Sequence, residues 1–285
     1  MLLLALVAAV AVIISSLFAK QPQTETQTPP TIAETLPSYT QELYAVVRDN
    51  EPDFTPEQLL AEPYEFYSEL DGLGRCGYAM ACLSEELMPD EERTGIGHVR
   101  PSGWETIKYD FIDGKYLYNR CHLIGFQLAG ENANEKNLIT GTRSFNVSGM
   151  LPFENMVADY IQETGNKVLY RVTPVYEGDN LVASGVLMEA KSVEDDGEGI
   201  CFCVYVYNVE PGVIIDYATG SSCVDEEYFK ASGTEEYVLN TNSKRFHKVD
   251  CGDISNIRPE NREVVNESRG ILIADGYKPC GKCDP

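Results

Sequence analysis

The clearest pattern of apolar and polar positions lies in the second half of the chain. Four segments, 168–176, 181–189, 200–208 and 213–217, are rich in Val, Ile, Leu and Tyr and are bounded by Gly, Asp and Asn. They predict strands, and Glu177-Gly178-Asp179-Asn180 predicts the turn that makes the first two a hairpin. Just ahead, Pro152 suits the first turn of a helix with the apolar stripe Phe153, Met156, Val157, Tyr160 and Ile161, stopped by Gly165-Asn166. The first half reads as shorter pieces. A strand is expected over 43–47, then a short helix with Thr55 as N-cap and Pro56 at its first position. A helix is expected over 65–70, ended by Gly72 and Gly74, then a buried strand within 75–82. Residues 116–118 read as a strand, 132–137 as a loop and 138–142 as a short strand or turn. Gly149 and Pro152 leave a single helix through Asn146 and Glu154 unassured. Antiparallel strands with helices set on them predict an α+β domain.

The two ends differ from this pattern. Residues 1–19 form an almost uninterrupted apolar run that ends at Lys20, about the length that spans a bilayer as a helix. No basic residue precedes the run, and Leu17-Phe18-Ala19 makes a poor cleavage site, which favours an uncleaved anchor over a removed signal. Either reading puts the rest of the chain outside the cytoplasm, although Lys20, the only nearby charge, by itself favours the opposite orientation. Residues 20–37, rich in Thr, Pro and Gln, read as a tether. The expected organisation is therefore an anchor or signal (1–19), a linker (20–37), a main domain (38–220), an acidic linker (221–234) and a distinct tail module (235–285).

At 285 residues with 43% hydrophobic content, the chain can bury a core and wholesale disorder is excluded. The net charge of −23 weakens any reading in which the protein coats nucleic acid by bulk attraction. It leaves open an enzyme that neutralises phosphate locally with a cation and a few arginines. The single tryptophan, Trp104, sits in a loop punctuated by Pro101 and Gly103 and reads as a core plug rather than a stacking platform.

The candidate chemistry lies in 116–154. His122, one of three histidines, follows Asn119-Arg120-Cys121, and Asn137, Asn146 and Glu154 come after it. Amides and one carboxylate behind a possible base suit a hard cation that keeps most of its waters, as in Mg²⁺-assisted phosphoryl chemistry. The spacing resembles that of the DNA/RNA non-specific endonucleases with a ββα-metal active site, in particular their membrane-anchored or secreted members. Their signature is Asp-Arg-Gly-His, then an Asn, a second Asn nine positions on, and a Glu eight beyond. Here Asn119 stands for the Asp and Cys121 for the Gly, while both later intervals match. The resemblance spans about residues 73–217 and implies a central antiparallel sheet with flanking helices around a ββα-metal site. It further implies His122 as general base, Asn146 as Mg²⁺ ligand, and Glu154 holding metal-bound water. Asn137 would position the base or the water shell, and Arg120 would clamp phosphate, with Arg143 and Gln127 as further substrate contacts. The implied activity is cleavage of DNA and RNA with little sequence preference, leaving 5′-phosphates on the extracellular face of the membrane. The contrasting readings are an inactive nuclease fold that captures extracellular DNA, and a thiol hydrolase using Cys121.

The tail adds a second constellation: His247, Cys251, Cys280 and Cys283, one His and three Cys at spacings that suit tetrahedral zinc. A Cys280–Cys283 disulfide is the alternative. The stretch resembles Ada-type metal-binding modules, which implies a structural Zn²⁺. Lys244, Arg245, Lys248, Lys278 and Lys282 are candidate nucleic-acid contacts or a solvated face. Cys76 and Cys82 read as a pair or as two buried thiols, and Cys201 and Cys203, two apart on one strand, share a face and do not suit each other.

Overall fold

A computed structural model describes residues 36–285, apart from Ala61 and Ser232. The expected anchor and nearly all of the tether lie outside the described residues. Among the described residues, no helix is long and apolar enough to cross a membrane.

The fold is α+β. Six strands make one antiparallel sheet: β1 (Tyr44–Val46), β2 (Tyr64–Tyr67), β3 (Ala79–Leu83), β6 (Val168–Val175), β7 (Gly185–Ser192) and β8 (Cys201–Tyr207), in the order β1-β8-β7-β6-β3-β2. A separate antiparallel pair, β4 (Tyr118–His122) and β5 (Leu138–Thr142), carries the candidate base at its end, with His122 opposite Leu138. Two further strands, β9 (Val213–Ile215) and β10 (Ser222–Val224), pair with each other. The tail holds a four-stranded sheet of β11 (Glu235–Asn240), β12 (Arg245–Lys248), β13 (Arg262–Glu267) and β14 (Lys278–Pro279), in which β14 runs parallel to β12. Among the described residues the α-helices are α1 (Phe126–Ala129), α2 (Leu151–Thr164), α3 (Glu226–Ala231) and α4 (Arg269–Ala274).

The main core lies between one face of the large sheet and α2. Phe153, Val157 and Ile161 pack with Ala81, Tyr170, Met188, Val204 and Val206, joined by Cys121 and Ile139 from the small pair and by Ile124 and Phe145 just beyond its strands. Met156, expected on this stripe, is 48% exposed; it falls a position off the arc that Phe153, Val157 and Ile161 bury. The opposite face of the sheet packs Met80, Cys82 and Leu169 under Phe54, Leu59, Tyr64 and Phe66. It also buries Glu189, which accepts from Arg171 (2.8 Å), Arg48 (3.1 Å) and the backbone of Asp53 (3.0 Å).

Three local expectations are corrected. Residues 65–70 do not form a helix, because 64–67 is edge strand β2, paired with β3. Tyr64 and Phe66, two apart, cover one face, which is the strand period rather than the helical one. The short helix after Thr55 is one 3₁₀ turn, held reciprocally by Gln58 N–H to Thr55 Oγ1 (3.3 Å) and Thr55 N–H to Gln58 Oε1 (2.9 Å). The stretch 221–234, expected as linker, carries β10 and α3. Its Phe229 is buried, edge-on to Phe111 at 5.0 Å and against Gly270, so it is a packed joint.

The small pair is tied to the main sheet by one buried amide. Asn208 Oδ1 accepts from Thr142 N–H (2.9 Å), and its Nδ2 donates to Thr140 O (3.0 Å) and Ala183 O (2.9 Å). Next to it Glu210 accepts from the backbone N–H (2.8 Å) and hydroxyl (2.7 Å) of Ser144, capping the helical run that follows β5. Asn208→Ala is expected to lower stability by about 2–4 kcal/mol, since it strands three buried backbone groups. Urea denaturation measures this, and a change below about 0.5 kcal/mol would remove Asn208 from its tying role.

Candidate active site and candidate metal centre

The helix carrying the expected acid begins before the chain's proline and is not interrupted by it. Helical backbone runs from 143 to 164, with a wide π-turn over Phe145–Met150 that continues into α2. Leu151 N–H reaches back five residues to Asn146 O. Pro152 has no N–H to give, and its ring would crowd the carbonyl four residues earlier in a regular helix; the wider turn relieves both. The run thus carries Asn146 in the π-turn and Glu154 in the first turn of α2, the relation that the sequence left open.

Strand β4, the short helix α1 and this helical run bring Arg120 and His122, Gln127, and Asn146 and Glu154 to the wall of one cavity of about 250 Å³, together with Arg93. His122 is buried, with Nε2 2.9 Å from Asn132 O and Nδ1 3.5 Å from the Arg93 guanidinium. A carbonyl only accepts and a guanidinium only donates, so both partners select the tautomer with the proton on Nε2 and the lone pair on Nδ1. Burial lowers the imidazole's pKa below its ordinary value, the Asn132 carbonyl opposes this, and Arg93 adds to the lowering. The ring is therefore neutral at physiological pH, as a proton acceptor must be.

Glu154 is buried against Gly125, where even a Cβ would sit 2.7 Å from its Oε2, so only glycine admits the carboxyl here. Burial pushes this carboxyl up to about 8, with Arg93 pulling it down. A buried carboxyl beside an amide is a hard-oxygen donor set, and a cation would reverse the cost of ionising it. The residues present fit a hydrated Mg²⁺.

The other expected residues are placed as follows. Asn137 is fully buried and outside the cavity wall. Its Oδ1 accepts from Ile124 N–H (2.8 Å) and its Nδ2 donates to Ile124 O (2.9 Å), fixing the turn just after His122. Arg120 donates from Nε to Val99 O (2.5 Å) and from an η nitrogen to Gly97 O (2.9 Å), and it stacks on Trp104 at 4.0 Å. Arg143 pairs with Asp113 at 2.9 Å, and Gln127 Nε2 donates to Asn155 at 2.9 Å. Cys121 is fully buried, packed over Gly141, whose Cβ would meet Sγ at 2.5 Å. Burial holds that thiol well above its ordinary pKa, opposite to what a nucleophile needs.

Arg93 and Asn132 were not anticipated from the sequence. Arg93 closes the acidic stretch 85–92, and that abrupt change of sign is the one signal it carries. Asn132 joins the two: its carbonyl meets His122, and its Nδ2 donates to Thr94 O (3.1 Å), next to Arg93.

In the tail, one ligand atom from each of His247, Cys251, Cys280 and Cys283 lies within 4.8 Å of the others. Tetrahedral zinc with ~2.3 Å bonds to sulfur needs such spacings. Lys248 N–H points at Cys283 Sγ (3.4 Å) and Lys282 N–H at Cys280 Sγ (3.5 Å), donors that suit thiolates. Neither the Cys280–Cys283 nor the Cys76–Cys82 disulfide is present. Three of the five tail cations are engaged within the module: Lys282 with Asp253 (2.7 Å), Lys244 over Tyr277 (4.4 Å) and Arg245 with Pro279 O (3.3 Å).

A hairpin and a helix thus present a histidine, an amide and a carboxyl to one cavity. Residues 58–194 match the model of the DNA/RNA non-specific endonuclease family, which places a domain of that kind in this part of the chain. Among solved structures, NucA from Streptococcus agalactiae with a magnesium ion bound is similar with a TM-score of 0.56 and 25% identity, covering 62% of this chain and 84% of that one. The Sda1 nuclease with a bound zinc ion gives 0.55 and 26%, covering 65% and 98%. No curated protein sequence matches the chain.

The Glu154 carboxyl binds its proton more tightly folded than unfolded, where its pKa is about 4.3. Without metal, stability is therefore lost as pH rises from that value towards about 8. In EDTA, Glu154→Gln is expected to raise the melting temperature over wild type at pH 8 much more than at about pH 5, a difference on the order of 3 kcal/mol. A pH-independent difference between the two proteins would contradict the burial argument.

Proposed function

We propose that the chain is a Mg²⁺-dependent endonuclease acting on both DNA and RNA outside the cytoplasm, held at the membrane by its apolar N-terminal segment. One observation carries the catalytic reading: His122, on the wall of the cavity that Asn146 and Glu154 share, commits Nε2 to a carbonyl and keeps the lone pair on Nδ1, beside Arg93.

In this reading His122 Nδ1 takes a proton from water as the water oxygen bonds to phosphorus. The P–O3′ bond breaks, the 3′ oxygen leaves and takes a proton from solvent water to become a hydroxyl, and the product carries a 5′-phosphate. Asn146 would hold the metal, and Glu154 would orient its water shell. The metal, when bound, stabilises charge developing on the phosphoryl oxygens and the leaving group. Arg93 and Arg120, on the same wall, would bind the phosphate. Asn137 acts through the backbone: it holds the turn at Ile124 and so sets where His122 ends. Contacts with phosphate rather than base edges account for low sequence preference. The apolar run 1–19 supports anchoring at the extracellular face.

The tail cluster we assign to a structural Zn²⁺, because four protein ligands leave no open position for chemistry. The purified protein should hold one zinc per chain by elemental analysis. Cys280→Ser should lose it and melt at lower temperature; full zinc content in that variant would refute the assignment.

His122→Ala is expected to reduce Mg²⁺-dependent plasmid cleavage by about 10²–10⁴-fold with an unchanged melting temperature. EDTA should abolish wild-type activity, and added Mg²⁺ should restore it. Near wild-type cleavage by the folded variant would sink the assignment.

A further inference from the structure

Beside the catalytic cavity lies a larger one of about 590 Å³, and the two share Arg93, Arg120 and Asn146 in their walls. The rest of its wall includes Trp104, Tyr116, Tyr118, Asn119 and Arg143. We infer that this cavity is a subsite for the nucleotide next to the scissile phosphate, which it holds by its phosphate and by the face of its base. The inference rests on the nuclease reading above and adds to it where the neighbouring unit of the strand binds.

Four observations support this assignment. First, the volume lies within the ~300–1,000 Å³ typical of small-molecule sites. Second, the chain carries a net charge of −23, yet among the described residues no carboxylate lines this cavity and three arginines do. Arg143 is matched by Asp113, but Arg120 gives its hydrogen bonds to the carbonyls of Val99 and Gly97, which leave its charge uncompensated. Third, two residues of the wall hold donors without acceptors: Asn119 Nδ2 and Trp104 Nε1 are buried and have no hydrogen-bond partner among the described residues. Asn119 replaces the family's Asp, so a donor amide stands where a carboxylate would repel phosphate. Fourth, the rim offers a flat surface. Tyr116 is 47% exposed with the Lys108 ammonium 4.3 Å from its ring centre, an aromatic and a cation together at the mouth. Guanidinium groups and unpaired donors suit phosphate oxygens, and exposed aromatic rings suit base faces without reading the base.

The shared wall makes the two sites contiguous, so one strand can occupy both. A substrate with only one phosphate and no neighbouring nucleotide would use the catalytic cavity alone. The subsite then contributes to KM for polynucleotides more than to the chemical step.

The test compares two substrates, single-stranded DNA and bis(p-nitrophenyl) phosphate, with the full chain in Mg²⁺. The variants are Tyr116→Ala, Lys108→Ala and Asn119→Ala. Each is expected to raise KM for DNA several-fold, with a loss in kcat/KM on DNA at least about fivefold greater than on the small diester. Asn119→Ala should also leave the melting temperature unchanged or raised, since it removes an unpaired buried donor; a merely structural amide would lower it. Equal losses on both substrates, or no loss on DNA in any of the three, would overturn the subsite while leaving the nuclease reading intact. If wild type hydrolyses neither substrate, both readings fall.

Discussion

A carbonyl oxygen can accept a hydrogen bond and cannot give one, and that rule organises this molecule. Asn132 O stands 2.9 Å from His122 Nε2 and leaves the imidazole one way to hold its proton. Burial keeps the ring neutral, and the Arg93 guanidinium on the other side fits only a lone pair. Much of the surrounding architecture serves to keep that ring in place. The β4–β5 pair delivers it, Asn137 locks the turn behind it, and Asn208 and Glu210, just past the end of β8, tie the pair and the following helix to the main sheet.

The same economy governs the acid. Glu154 is buried on the helix face that packs on the sheet, where Phe153, Val157 and Ile161 provide the apolar anchoring. Its carboxyl is costly to ionise there, and a divalent cation is what would make ionisation favourable. The π-turn before it is the geometric counterpart: by absorbing Pro152 it lets one helix carry Asn146 and Glu154 to the same cavity. The two departures from the family motif are also intelligible. Cys121 fits where a glycine is usual because Gly141 leaves room across the hairpin, and Asn119 exchanges a carboxylate for an amide beside arginines.

Much of this was legible in the sequence where the signal was local. The strands of 168–217 and the Gly165 stop followed from alternation and turn residues, and the spacing of His122, Asn146 and Glu154 carried the family resemblance. What escaped was set by tertiary context. Residues 65–70 read as helix because their pairing with β3 is not encoded nearby. Met156 looked like core because a stripe read from sequence does not say where the sheet ends. Arg93 and Asn132 were missed because their relation to His122 is made by the folding of an acidic loop onto the hairpin. The 221–234 segment looked like a linker by composition, yet Phe229 makes it a packed joint.

The central claim is that His122, on the wall of the catalytic cavity, keeps Nδ1 unprotonated, and nitrogen-15 NMR of the histidine-labelled protein tests it most directly, with His122→Ala supplying the assignment. At neutral pH the account predicts a neutral His122 ring protonated on Nε2, titrating below the ordinary histidine value. A ring protonated on Nδ1, or an imidazolium at that pH, would contradict it.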